Sequence, residues 1–81
     1  MIILHNIDTN TMLEIREMTK HFENNVTVAF DKETENFTVM FDGHSIPIIL
    51  KYYNLDNTLR LELGAKYLDL PYYDYSEVTI V

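Results

Sequence analysis

The sequence predicts an α+β fold, in which an antiparallel β-meander of four to six strands carries one α-helix packed across one face. Two observations support this prediction. Near the N-terminus, apolar residues are spaced by three and four, whereas four later stretches alternate apolar and polar residues. The first period is that of an amphipathic helix and the second is that of strands with one buried face. The length of 81 residues is that of a single domain, so residues 1–81 form one unit.

Residues 2–7 are apolar enough to predict a short first strand, and the helix follows it. Thr11 and Glu14 have the spacing of a capping box, in which a hydroxyl and a carboxylate satisfy backbone N–H groups at the start of a helix. The predicted helix therefore begins at Thr11 and ends at about His21 or Phe22. Its apolar side chains form one stripe: Met12, Ile15, Met18 and Phe22.

Three turns set the register of the four alternating strands between residues 26 and 63. They are a four-residue loop at 32–35, the hairpin dipeptide Asp42-Gly43, and a four-residue turn at 54–57. A slip of one residue would move every side chain to the other face, so the register is testable. All three turns place apolar residues opposite each other on one face, which predicts one continuous sheet. The pairs include Phe30 with Phe37, Val39 with Ile46, and Tyr52 with Leu59.

The C-terminal part is less regular. Residues 65–75 are predicted to form a loop or a short helical turn, and a loop of this length in a small domain is a candidate for function. Residues 78–81 are predicted to form a last strand beside residues 2–7. Because proline cannot donate to a β-ladder, Pro47 is expected at an edge, a bulge or an unpaired position.

Composition bears on the compartment. The chain has no cysteine, so it contains no disulfide and no thiolate zinc site. It has no apolar run of the roughly 20 residues that a membrane span needs. We therefore expect a cytoplasmic protein without a membrane partner, located in the host cytoplasm if a phage encodes it.

The residues that could carry chemistry form only weak constellations. His44 and Ser45 are neighbours on a predicted strand, so their side chains point to opposite faces. The pair Glu17 and His21, and likewise Asp42 with His44, could each supply two metal ligands, but no third ligand is suggested. We therefore expect no catalytic residue, no metal and no cofactor, and we predict that the protein is not an enzyme.

Charge is the strongest functional signal. Thirteen acids against six bases give a net charge of −7, of which residues 21–50 contribute −4 and residues 67–81 contribute −3. Such a surface repels nucleic acid and attracts basic proteins. The predicted partner is therefore a basic protein surface, in particular that of a nucleic-acid-binding protein, and direct contact with nucleic acid is disfavoured.

The second acidic stretch is also rich in tyrosine. Tyrosine buries a large area while keeping a polar tip, and carboxylates steer basic partners. The predicted partner-binding residues are Asp69, Tyr72, Tyr73, Asp74, Tyr75 and Glu77, together with Asp31, Glu33 and Glu35 in and beside the first hairpin loop. Two alternatives stay open: the tyrosines could cap the core, and the hairpin acids could form a solvated tip that guards against aggregation.

These observations predict a non-catalytic acidic protein-binding module, and specifically an inhibitor that presents carboxylates where phosphates would lie. In size and charge the chain resembles phage and mobile-element proteins that block host defence, including anti-CRISPR proteins, although no motif identifies a family. The alternative is a small structural protein that self-associates as a homodimer through a sheet edge or its tyrosine-rich segment. An enzyme would require His44 or His5 to pair with an acid on a neighbouring strand.

Overall fold

The computed structural model describes the backbone of residues 1–81 and the side chains of all of them except Glu23. Its elements, in chain order, are β1 (Ile2–Ile7), α1 (Thr9–Thr19), a 3-10 helix (Lys20–Asn25), β2 (Val26–Asp31), β3 (Asn36–Phe41), β4 (Ile48–Tyr53), β5 (Thr58–Leu63), β6 (Lys66–Leu70), a second 3-10 helix (Tyr75–Glu77) and β7 (Val78–Ile80). The predicted α+β class, with antiparallel strands and one packed α-helix, is confirmed.

The strands form two sheets rather than one, and there are seven strands rather than four to six. Sheet 1 has the order β2-β3-β1-β7, and sheet 2 has the order β4-β5-β6. All neighbouring strands are antiparallel. Sheet 2 is a meander of consecutive strands, whereas sheet 1 joins strands from both ends of the chain.

The division arises at Asp42-Gly43, where the predicted hairpin is wrong. The Asp42 carboxylate accepts hydrogen bonds from the His44 N–H and from the Ser45 hydroxyl, each at 3.0 Å. This local turn carries the chain from sheet 1 to sheet 2. The position beside β3 is taken by β1, whose Leu4 pairs with Val39. A turn dipeptide reports only local preference, and the apolar face of β1 competes successfully for the same neighbour.

The other two predicted registers are confirmed. In sheet 1, Phe30 pairs with Phe37, and in sheet 2, Tyr52 pairs with Leu59. The last strand lies beside β1 as predicted. Pro47 lies in no strand and directly precedes β4, so its missing N–H interrupts no ladder.

The region after Gly64 contains more regular structure than the sequence suggested. Lys66–Leu70 is a strand that pairs with β5, and the expected helical turn occurs later, at Tyr75–Glu77. Gly64 has a φ of +64°, which suits the tight two-residue connection between Leu63 and Lys66. The glycine marks a hairpin here rather than the end of the sheet.

The start of the helix also differs from the prediction. Asp8 is the N-cap, and its carboxylate accepts a hydrogen bond from the backbone N–H of Thr11 at 2.7 Å. This hydrogen bond lowers the pKa of the Asp8 carboxyl. Thr11 therefore lies within the first turn and does not cap the helix. Both side chains are acceptable caps, and the position of β1 decides between them.

One hydrophobic core joins the helix and both sheets. Met12 and Ile15 on the predicted stripe are buried, and Met18 and Phe22 pack against the same cluster. The core includes Leu4, Ile7, Val39 and Phe41 from sheet 1, and Leu59, Leu61, Leu63 and Leu70 from sheet 2. In the described part of the chain, no helix is long and apolar enough to cross a membrane.

Candidate protein-binding site at one end of sheet 1

Four strand ends meet at one end of sheet 1. Because its strands are antiparallel, β2 ends at Asp31 beside the start of β3, β1 ends at Ile7, and β7 begins at Val78 at the same end. The loops at this end carry six carboxylates and one lysine, Lys32. We call this group the acidic end: Asp8, Asp31, Glu33, Glu35, Asp74 and Glu77. Two acidic stretches that are distant in sequence thus lie at the same end of one sheet.

The carboxylates of the acidic end form no ion pair among the described residues. The described residues form three ion pairs, and their acids are Glu17, Glu62 and Asp69, none of which belongs to the acidic end. Asp31 and Asp74 instead accept hydrogen bonds from backbone N–H groups of their own loops, each at 2.9 Å. These bonds hold the loops in shape and leave the negative charge in place.

Asp69 lies apart from the acidic end, on the outer face of sheet 2. The Arg60 guanidinium binds it with two hydrogen bonds of 2.7 and 3.0 Å, which lower the pKa of the Asp69 carboxyl. Arg60 also lies 4.3 Å from the centroid of the Tyr67 ring and 5.5 Å from that of Tyr53. The charge of Asp69 is therefore balanced within the protein, unlike that of the other predicted acids.

Tyr73 belongs to the core rather than to the surface. It is 7% exposed, and its hydroxyl donates to the backbone carbonyl of His5 at 2.6 Å and lies 2.9 Å from that of Glu77. Burial raises the pKa of the Tyr73 hydroxyl. For this tyrosine the core-capping alternative holds. Tyr73 ties the C-terminal segment to β1 and so positions its neighbours, but its ring is not available to a partner.

Tyr72 and Tyr75 are displayed to solvent. Tyr75 is 43% exposed and packs edge-on against Tyr52, with ring centroids 5.3 Å apart. Tyr72 is 89% exposed and has a φ of +59°. Bulky residues rarely adopt this left-handed conformation, and such strain is concentrated at functional sites. Tyr72 is therefore the clearest candidate anchor of the predicted tyrosines.

Tyr72 stands between two open clefts. The cleft toward the acidic end has a volume of about 430 Å³ and includes Asp8, Thr11 and Glu77 in its lining. The other cleft, of about 360 Å³, includes Leu55 from the β4–β5 turn, which is 96% exposed. Sequence reasoning missed Asp8 and Leu55 as site residues. Leu55 had one visible signal, an isolated apolar residue within a polar turn.

The residues considered for catalysis have ordinary structural surroundings. His44 and Ser45 lie in the turn after β3, where both bond to Asp42, and not on a strand. His5 Nε2 lies 2.9 Å from the hydroxyl oxygen of Thr79 on the neighbouring strand. Among the described residues, no group of three histidine or carboxylate side chains is arranged to hold a metal ion.

Comparisons of the chain with protein-family models, with curated proteins and with solved structures return no match. The class of protein is therefore defined by its own fold and site. It is a small α+β protein of two antiparallel sheets and one helix, with a carboxylate-rich end beside an exposed tyrosine.

Proposed function

We propose that this protein is a non-catalytic binding module whose acidic end occupies the basic, nucleic-acid-binding site of a partner protein. The proposal rests on one observation: six carboxylates from separate loops lie at one end of sheet 1, with one lysine among them. A basic partner site would gain electrostatic attraction and fast association from such a surface.

The arrangement of the acidic end suits an extended nucleic-acid-binding site on the partner better than a single basic side chain on the partner. The β2–β3 loop carries one row of carboxylates, and Asp74 and Glu77 before β7 carry another. The strand order β2-β3-β1-β7 places β1 between these two rows. A nucleic-acid-binding site carries several Lys and Arg side chains that contact successive phosphates, so it offers several partners to such a surface.

Apolar anchorage would come from the exposed side chains beside the carboxylates. Tyr72 and Leu55 are 89% and 96% exposed and both line one open cleft. Tyrosine is enriched at binding hot spots, where a well-packed ring supplies more affinity than rim charges do. The acidic end would then set specificity and association rate, and Tyr72 would slow dissociation.

The size and the net charge of −7 suit a nucleic-acid mimic of the kind that phages and mobile elements direct against host defence, as anti-CRISPR proteins do. We extend the proposal to this class of inhibitor, acting in the cytoplasm on a protein and not on nucleic acid itself.

The test is capture from a candidate host lysate at low and high salt, with duplex DNA as a competitor. The test variant is Glu33→Lys/Glu77→Lys, and the matched control is Glu14→Lys/Glu17→Lys on the helix, with the same change in net charge. We expect a nucleic-acid-binding protein to be captured by wild type and by the control. The test variant should lose it, as should wild type in high salt or with DNA. Capture that resists both salt and DNA, or an equal loss in the control, contradicts the proposal.

The variant Tyr72→Gly distinguishes the role of Tyr72 in partner binding from its role in folding stability, because the two effects are expected to have opposite signs. Glycine adopts a positive φ without strain, so this change should raise the free energy of unfolding by about 0.5–1 kcal/mol. We expect the same variant to weaken partner binding at least about tenfold, since hot-spot rings contribute more than about 1.4 kcal/mol. Urea unfolding and the capture assay measure the two effects. A stabilised variant with unchanged capture would remove Tyr72 from the site.

A further inference from the structure

The open edge of β2 presents unpaired backbone groups. The Asp42 N–H donates to the Asn25 carbonyl at 2.9 Å, which sets the phase of the ladder between β2 and β3. Alternate residues of β2 therefore direct their backbone N–H and C=O groups away from β3. The residues whose backbone groups point away from β3 are Val26, Val28 and Phe30, and we call them the outward residues.

This edge lacks most of the features that usually prevent strand pairing, since its one charged residue, Asp31, lies at its last position. Val26–Asp31 contains no lysine and no proline, and its register with β3 runs through six consecutive pairs without a bulge. The outward residues are apolar, and Phe30 is 54% exposed. An edge of this length and composition is a template for another strand. The opposite edge of the sheet, β7, has only three residues.

We infer that two copies of this chain pair through β2, antiparallel to each other, and form a continuous eight-stranded sheet. A two-fold axis at Val28 places Val28 opposite Val28 of the second copy and Val26 opposite Phe30 of the second copy. Each outward residue then exchanges two backbone hydrogen bonds, about six in total. The same register brings apolar side chains together on one face, so the edge is self-complementary.

The charges beside the open edge of β2 support a second copy of this chain as the molecule that pairs with it. Among the described residues, those that line a groove of about 370 Å³ beside the open edge are Arg16, Thr19, Lys20, Val26 and Val28. Arg16 takes part in none of the ion pairs found among the described residues. Antiparallel pairing brings the acidic β2–β3 loop of the second copy beside the start of β2, where these cations lie. The interaction occurs twice by symmetry.

This inference does not depend on the proposed function. In the dimer, Tyr72 and the carboxylates before β7 lie on the far side of each sheet 1, while the β2–β3 loop faces the second copy. Self-association and binding through that loop therefore compete. The two proposals fail separately, because one is read from the mass of the pure protein and the other from capture of a partner.

The first test is sedimentation equilibrium of the pure protein over a range of concentrations. We expect the mass to rise from 9.6 kDa toward twice that value. Phe30→Lys should raise the dissociation constant of the dimer at least about tenfold, by placing a charge on the edge. Ile80→Lys on the opposite edge, where Ile80 is 66% exposed, is the control and should leave it unchanged. A monomer up to millimolar concentration overturns the inference, as does an equal loss with Ile80→Lys.

The second test reads the register by cross-linking, because the chain has no native cysteine. In the inferred dimer, the two Cα atoms of residue 28 lie about 5.5 Å apart, within disulfide range. The two copies of residue 30 lie about 14 Å apart, beyond it. Val28→Cys should therefore form a covalent dimer on mild oxidation, and Phe30→Cys alone should not. A mixture of Val26→Cys and Phe30→Cys should cross-link. Equal cross-linking of Val28→Cys and Phe30→Cys contradicts this register.

Discussion

Sheet 1 and sheet 2 pack on the same core, but they differ in how their charges are balanced. Residues 48–70, which form sheet 2 and its turns, hold three bases and three acids, and two cross-strand ion pairs lie on the outer face. Sheet 1 and the segments around it hold the whole net charge of −7, and its acidic end has no ion pair among the described residues. The protein can thus balance charge locally, as it does around Arg60, and does not do so at the acidic end.

This difference separates structural charge from charge that is available to a partner. On sheet 2, Arg60 stands opposite Asp69 and Lys51 reaches Glu62 diagonally across adjacent strands, so each of these bases has an acid as its partner. At the acidic end, like charges gather in loops, which costs the folded state some repulsion. Such an unbalanced cluster on a small protein is consistent with selection for binding rather than for stability.

The largest expected effect tests whether the two sheets fold together. Phe41→Ala in sheet 1 and Leu61→Ala in sheet 2 each remove a fully buried side chain and should each lower the free energy of unfolding by about 3 kcal/mol. Since the core is shared, urea unfolding followed by circular dichroism should show one transition for both variants. Exposed Leu55→Ala, the control, should change little. Two separate transitions in either variant would mean that the sheets are independent units.

An intermediate effect is expected at Tyr73, which joins the C-terminal segment to β1. Tyr73→Phe leaves the carbonyls of His5 and Glu77 without their hydroxyl partner and should cost about 1–2 kcal/mol at pH 7. Burial raises the pKa of Tyr73 in the folded state, so above about pH 10 the unfolded chain loses this proton first. The unfolded state then binds fewer protons, and stability falls as pH rises.

The check is urea unfolding between pH 8 and pH 12. Wild type should lose stability more steeply than Tyr73→Phe above about pH 10. Tyr72→Phe, in which the ring is exposed, is the control and should follow wild type. If Tyr73→Phe keeps the full alkaline slope, ionisation of Tyr73 is not its cause.

The smallest effect is expected on the outer face of sheet 2. Arg60→Met loses two hydrogen bonds to Asp69 and two ring contacts, whereas Lys51→Met loses one ion pair to Glu62. Both variants should lower the urea midpoint at pH 7 slightly, Arg60→Met more than Lys51→Met, since solvent screens both pairs. The pKa of Asp69 is held below its ordinary value of 3.8, so this contribution exists above that pH and disappears as pH falls. A deficit of Arg60→Met that persists undiminished at pH 2 would assign the effect to the rings instead.

Local pattern was enough to predict the β4–β5 hairpin of sheet 2 and the β2–β3 hairpin of sheet 1, but not β6. Period-2 alternation and short turns placed Tyr52 opposite Leu59 and Phe30 opposite Phe37, because neighbouring strands joined by short turns have few alternative registers. The helix was predicted for the same reason, although its cap was not. The hairpin predicted at Asp42-Gly43 was wrong, because the turn preference of this dipeptide is compatible with a hairpin and equally with a connection between two sheets.

The sequence predicted which residue types form the candidate site, but not which of these residues lie together in space. The acids and tyrosines were visible in the sequence, yet Asp69 is paired with Arg60, Tyr73 is buried, and Asp8 joins the acidic end. Each of these outcomes depends on which strand lies next to which. Spacing along the chain carries no information about such neighbours.

The sequence by itself determined the α+β class, the period of each element, the two sequential hairpin registers and the large negative charge, because these follow from local geometry and composition. Only the tertiary structure decided that β1 lies beside β3, and with it that two distant acidic stretches meet at one end of sheet 1. The physical reason is that burial of a common apolar face, here that of Leu4, Ile7 and Val39, determines which distant strands pair. This burial depends on all the elements that form the core, and not on the local sequence of one strand.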